Sequence, residues 1–360
     1  MAKSGTADLP LHTGNAPGWL FDRMEELGGK ISEVIIEEYG HQVLLERLAD
    51  PYWFQAFGCV LGFDWHSSGL TTTTMGALKQ ALEPEEHGVK VVGGKGAASR
   101  KTPGEIAGDE FNLGTRRVEA LQEVSRKSAA VDNSTVQDSY TLYHHTLVFT
   151  EKGDWTVVQQ GMNDDYARRY HWLSSETESF LQDPQAAIAS QRKRDETLNL
   201  SSSRSEETRE ISVDLVNDNP SHLMKYVNGQ HSLDDFSSDR KLDMPQHHIL
   251  RESDLTEQSI KQLQRAYEIQ PRDYEELLSV KGIGKKSLRA LALISELVYG
   301  SDSSWDDPAK YSYAHGGKDG TPYPVDREKY DESIEHMEQV LEKTEDGKQK
   351  RKAMKRLSTF

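Results

Sequence analysis

Two adjacent runs, Tyr140–Thr150 and Trp155–Gly161, constrain the fold more than any other feature of the chain. Both are rich in Tyr, Thr, Val and Phe, whose branched or aromatic side chains suit the pleated surface of a sheet. Only Glu151, Lys152, Gly153 and Asp154 separate them, so the two runs predict an antiparallel hairpin. A two-residue turn at Lys152-Gly153 sets Glu151 opposite Asp154, His145 opposite Gln160 and Thr146 opposite Gln159. His144 then points to the other side of the sheet, because successive side chains alternate.

Helical patterns precede this hairpin. Pro17 opens a helix with Leu20, Met24 and Leu27 at helical spacing, and a second helix is predicted over Ile31–Leu48, with Ile35, Tyr39, Leu44 and Leu48 on one stripe. Tyr52, Trp53, Phe54 and Phe57 are bulky core material, and further helices are expected over Met75–Leu82 and Thr115–Lys127. Residues 1–173 thus read as a mixed α/β domain with a small antiparallel sheet. Residues 174–245 are rich in Ser, Glu, Arg and Asp and read as a polar connector, with an exposed helix over Pro184–Leu198. Residues 246–346 read as an all-helical domain that opens on a capping pair, Asp254 and Glu257, and closes on a helix over Tyr330–Lys343. A basic tail, 347–360, follows. The fold class expected is α+β.

Composition limits function in three ways. The net charge of -16 excludes a chain that coats nucleic acid by its overall charge, so any such site must be a local basic patch. The single cysteine, Cys59, excludes an internal disulfide and a CxxC zinc site. There is no long apolar run and no apolar segment at the start, so the expected location is the cytoplasm, with no membrane partner.

The sharpest functional motif is Leu277–Leu291. Leu277, Leu278 and Val280 finish one short helix, Gly282-Ile283-Gly284 turn the chain, and Lys285 starts a second helix packed through Leu288 and Leu291. Such a helix-hairpin-helix element presents backbone N–H groups and a positive helix N-terminus to a phosphate. Lys281, Gly282, Ile283, Gly284, Lys285, Lys286 and Arg289 are its candidate DNA-binding residues. Contacts of this kind grip the backbone and weaken as salt rises, without reading bases.

Three polar stretches mark the first domain. Asp64, His66 and the hydroxyls Thr71–Thr74 form the first. The second is the glycine-rich Gly93–Ser99, whose Lys95 is followed by Arg100 and Lys101; it suits a phosphate cradle but lacks the spacing of a nucleotide-hydrolysing loop. The third combines Asp132, Asp138, His145, Gln160 and Asp165 with Arg126, Arg168 and Arg169. A metal-dependent nuclease needs acidic or imidazole ligands for Mg²⁺ or Mn²⁺ and cations for the charge that develops on phosphate. Asp132, Asp138, His145 and Asp165 are the candidate metal ligands; Asp132, Asp138, His145, Gln160 and Arg168 are the candidate catalytic residues. Paired Gln side chains would equally read a flipped base. A further polar loop, Ser312–Gly320, carries His315 and Lys318.

Two resemblances add to this reading. Leu277–Leu291 resembles the hairpin of helix-hairpin-helix DNA glycosylases, whose lyase members place a Schiff-base lysine where Lys286 stands. Val325-Asp326 is similar to their later Val-Asp pair, although Asp326 follows Gly284 at about twice their usual gap. More broadly, Gly5–Gly14, Pro17–Met24, Asp64–Thr73, Val131–Asp138, Tyr143-His144-His145, Val158–Met162, Arg168–Trp172 and His315–Gly320 resemble a prokaryotic family called domain of unknown function 763. That resemblance covers nearly the whole chain and implies that the polar stretches belong to one design, without assigning them a chemistry. The function expected is DNA processing or repair by a metal-dependent nuclease. The alternatives are a base-excision lyase using Lys286 and Asp326, and a non-enzymatic DNA-binding scaffold.

Overall fold

The computed structural model describes residues 16–63, 68–108, 111, 113–163, 166–190, 193–194, 196–218, 256–309, 335–336, 339–340 and 342. Asp64, His66, Asp165, Asp254, the loop 312–320, Asp326 and the basic tail lie outside them. Helix and antiparallel sheet are both present, as an α+β fold requires.

The N-terminal helices end where glycine geometry dictates. α1 (Gly18–Tyr39) runs straight through Gly28 and Gly29, where two helices were expected to meet. A Cβ on Gly28 would lie 3.5 Å from Leu61, and one on Gly29 3.2 Å from Ala81, so these glycines serve close packing. The chain breaks instead at Gly40, whose φ of 91° is left-handed, and α2 (His41–Ala49) follows. Asp50 caps α3 (Pro51–Val60) by accepting from the Tyr52 and Trp53 amides, with Pro51 at the first helical position. α4 (Gly69–Ala81) starts earlier than expected, and the short α5 (Pro84–His87) leads into the sheet.

The main sheet has the order β1 (Val89–Lys95), β3 (Thr141–Thr150), β4 (Trp155–Met162), β5 (Ala167–Leu173), β6 (Ala187–Ser190), every neighbour antiparallel. A small pair, β2 (Val136–Gln137) and β7 (Leu198–Asn199), stands apart. α6 (Thr102–Ala107) and α7 (Thr115–Ala130) link β1 to β3, and a π-helical turn over Val131–Thr135 extends α7.

The register differs from the expected one by one residue. His145 pairs with Gln159, and His144 with Gln160. The Thr150 amide donates to the Asp154 carbonyl, so the loop has three residues, 151–153, and Gly153 takes φ 91°. A three-residue turn closed by a left-handed glycine replaces the two-residue turn. One slipped residue reverses which face each side chain meets, so Gln160 lies on the opposite face from His145.

Both faces of the sheet are covered, which is why β4 and β5 are buried almost throughout. Val89, Val91, Val148, Val158 and Leu173 pack with α1–α4 in one core. Val92, Leu147, Phe149, Trp155, Val157 and Trp172 pack with the other helices in a second. That second core includes α8 (Glu206–Asn217), α9 (Glu257–Ile269), α10 (Tyr274–Ser279) and α11 (Lys285–Ile294).

Three sequence expectations change here. Within 174–245, expected as a connector, β6 is fully buried in the sheet where an exposed helix had been expected, and Val213, Leu215 and Val216 of α8 join the second core. The helices after 256 share that core with the sheet. Thr256, through its hydroxyl, caps α9 by accepting from Ser259.

Candidate functional site

The sequence-selected residues fall into three places. The first is the sheet face under α7. His145, Gln159 and Trp172 share this face through the register, and the π-helical turn lowers Asp132 onto them. Gln159 Nε2 donates to Asp132 Oδ2 at 2.5 Å, Trp172 Nε1 donates to the same oxygen at 2.8 Å, and Gln185 Nε2 donates to Oδ1 at 2.7 Å. Gln159 Oε1 lies 2.9 Å from His145 Nδ1, and His145 Nε2 lies 2.9 Å from the Ser125 hydroxyl. The result is a closed, buried chain of polar groups. Burial pushes Asp132 up to about 8 despite its three donors. Burial likewise lowers His145 to about 4, with Gln159 opposing, so the imidazole is neutral at neutral pH.

Asp138 sits in a second network at the end of the same face. Arg168 donates to Asp138 at 3.0 Å and grips Asp307 with both terminal nitrogens, at 2.9 and 2.7 Å. Tyr170 donates to Asp138 at 2.6 Å, and the Tyr140 amide donates to its other oxygen at 3.0 Å. Burial opposes the charge of Arg168, but Asp138, Tyr170 and Asp307 outweigh it and hold the guanidinium above the usual arginine range. This arrangement is a paired ionic lock joining β5 to the segment before residue 309. It leaves Arg168 facing two carboxylates, an unsuitable place for a phosphate.

Gln160 belongs to the opposite face. Its Oε1 accepts from Thr71 at 2.5 Å, and its Nε2 donates to the Ser68 carbonyl at 2.7 Å and to the Tyr143 hydroxyl. Arg169 lies beside it, donating to Gln55 at 2.7 Å and Thr71 at 3.3 Å. The five candidate catalytic residues are therefore split between two faces and three hydrogen-bonded groups. The metal ligands are split too: Asp132 and His145 meet only through Gln159, Asp138 is held by Arg168 and Tyr170, and Asp165 lies outside the described residues. Among the described residues no group of three or more His, Cys, Asp or Glu side chains could hold a metal ion. Asp132, Asp138 and His145, the described members of the expected Mg²⁺ or Mn²⁺ ligand set, do not converge on one point.

Sequence reasoning missed Gln185, Tyr170, Trp172, Asp307 and Ser125. The signal for Tyr170 and Trp172 was available, because Arg168, Tyr170 and Trp172 alternate along β5 and must share one face. Nothing local pointed to Ser125, Gln185 or Asp307, which arrive from α7 and two loops.

The third place is the turn between α10 and α11. Val280 and Ile283 are buried between the helices, while Lys281 and Lys286 are exposed. Gly282 has φ 103°, and a Cβ there would fall 2.9 Å from Gln262. Gly284 differs: its backbone is extended, a Cβ would meet nothing within 4 Å, and no side chain caps α11. Lys285 turns inward, donating its ammonium to the Tyr140 carbonyl, and burial lowers its pKa with Asp138 opposing. Arg289 lies over the Trp305 ring at 5.4 Å. The Gln137 side chain donates to the Lys285 carbonyl at 2.9 Å, fixing the start of α11 against β2.

A family model described as a protein of unknown function, DUF763, matches residues 5–325. The chain belongs to the DUF763 family. No curated protein and no solved structure matches it. No described helix is long and apolar enough to cross a membrane.

Proposed function

We propose that this DUF763 chain binds the phosphodiester backbone of DNA through a helix-hairpin-helix element formed by α10, the turn 280–284 and α11. One observation carries the reading. The interior of the protein does not require glycine at 284, since a Cβ there would meet open space, yet glycine stands at the uncapped N-terminus of an amphipathic helix. A bare backbone at that point suits the close approach of a phosphate to the α11 N–H groups. Lys281 within the turn and Lys286 just after it are exposed; they supply the charge that draws the backbone in. Ile283 wedges the two helices together, and Lys285 with Gln137 ties them to the sheet.

This reading is that of a DNA-binding module. Cleavage at Asp132, Asp138 and His145 gains no support from their burial or from their separation. The lyase alternative gains none either: Lys286 is exposed, whereas a Schiff-base lysine is activated by desolvation or a neighbouring cation, and Asp326 lies outside the described residues.

The test is fluorescence anisotropy of a labelled DNA duplex over a salt series. Changing Lys281 and Lys286 together to Gln is expected to weaken binding about tenfold and to flatten the log–log salt slope by about two. Equal affinity of the variant and the natural chain would overturn the reading. Gly284→Ala should weaken binding several-fold while leaving the thermal midpoint nearly unchanged. Parallel incubations with Mg²⁺ or Mn²⁺ ask whether the bound duplex is also cut.

A further inference from the structure

The end of the sheet that anchors the hairpin also carries an irregular strand. β3 has a bulge between Leu142 and His144. A bulge places an extra residue on one strand and re-aims a side chain. Here it brings the Tyr143 hydroxyl to Gln160, on the face that His144 also meets. Gln160 Oε1 is engaged by Thr71, so Gln160 meets the phenol oxygen as a donor through Nε2. The phenol's own proton is then left for an acceptor from outside. Tyr143 as a residue is half-buried, with its hydroxyl against the buried Gln160. Burial raises its pKa, with Gln160 opposing, which keeps the proton in place.

Positive charge collects at the same spot. Lys95 pairs with His144 across the β1–β3 ladder, and its exposed ammonium lies 5.9 Å from the centre of the Tyr143 ring. The Gly96 amide donates to the Tyr143 carbonyl at 2.7 Å, folding the glycine-rich turn over the bulge. Gly93 is required there, because a Cβ would fall 2.3 Å from the His145 carbonyl oxygen. The turn continues into Ser99–Lys101, where Arg100 and Lys101 are exposed. The nearest acid on this segment, Glu105, is neutralised by Lys79 at 2.6 Å. Behind the site, His144 is buried with Nε2 bonded to Thr146 and Nδ1 without a hydrogen-bond partner.

We infer that Lys95 and the Tyr143 hydroxyl form a second phosphate-binding site, which takes the backbone of the same nucleic acid that the hairpin holds. The inference rests on the proposed function for the identity of its ligand. The positions are compatible: Tyr140, which anchors Lys285, precedes His144 by four residues, on the order of 13 Å along an extended chain. A nucleic acid that binds both sites must pass over this end of the sheet, from the face packed by α11 to the face of Gln160.

The experiment uses the full chain and a short fluorescein-labelled DNA duplex, with anisotropy read across a salt series. Lys95→Gln is expected to weaken binding about threefold and to lower the salt slope by about one. Tyr143→Phe keeps the ring and removes the donor, so it should weaken binding without changing the slope. If Lys95→Gln and Tyr143→Phe both match the natural chain while the Lys281/Lys286 double variant binds poorly, the second site is refuted and the hairpin reading stands. If Lys95→Gln weakens binding and the double variant does not, the second site stands and the hairpin reading falls. A natural chain that binds no duplex at any salt overturns both. Lys95 is exposed, so its variant folds even if Tyr143→Phe does not.

Discussion

Burial holds the Asp132 carboxyl near 8 in the folded chain against 3.8 as a free side chain, and the consequence can be measured. The folded state keeps the proton more tightly than the unfolded state. Its advantage is therefore full below about pH 4 and is lost as pH rises toward 8. The buried histidines work in the opposite sense: burial holds His144 at about 3 and His145 at about 4, so their stability is present above the ordinary histidine value and lost in acid. Between pH 7 and 9 only the Asp132 contribution of these three still changes. The natural chain should lose about 1–2 kcal/mol across that interval, and Asp132→Asn should abolish that loss in urea unfolding at the two pH values. Parallel curves for variant and natural chain would show that Asp132 does not govern it. Arg168 makes a different prediction. Replacing it by Met leaves Asp138 and Asp307 buried without their cation, which should cost about 3–5 kcal/mol; a smaller loss in the same assay would mean that solvent reaches the lock.

At the scale of elements, the β3–β4 turn decides what the sheet can present. Gly153 has φ 91°, and a Cβ there would meet only the Arg117 side chain at 3.7 Å or more. The cost of Gly153→Ala is therefore conformational, about 1–2 kcal/mol, and shows as a lower denaturant midpoint. An unchanged midpoint would mean that the turn adapts. The register this turn sets puts His145 with Gln159 and sends Gln160 to Thr71. The sequence led to the right strands and to the wrong partners for one reason: a single residue in the loop is worth a full reversal of face. α1 offers a similar case. Gly28-Gly29 looks like a break in the sequence, yet a helix accepts glycine where a neighbouring helix must come close.

Across the whole molecule, one sheet separates two cores, and the second is built from segments far apart in the chain. Leu291 of α11 lies in the same cluster as Leu147 and Trp172 of the sheet. Leu291→Ala should destabilise the protein by about 2–5 kcal/mol and shift a single unfolding transition seen alike by tryptophan fluorescence and circular dichroism. Two separated transitions would show that the helices after 256 unfold on their own. The segment 174–218 could not be recognised as part of this core by composition. The residues it gives to that core, among them Leu181, Leu198, Leu200, Val213, Leu215 and Val216, are interspersed with Ser, Arg and Glu.

Local pattern alone determined which residues form the central strands, where α7 lies, and that a glycine-punctuated turn with flanking lysines joins two short helices. Those features follow from alternation, periodicity and backbone freedom, all of which act over a few residues. Only the tertiary structure decided what Asp132, Asp138, His145, Gln160 and Arg168 do. A carboxylate reads the same in sequence whether it faces solvent and a metal or three buried donors. The difference is made by Trp172, Gln185 and Asp307, which come from elements distant in the chain and exclude water from it.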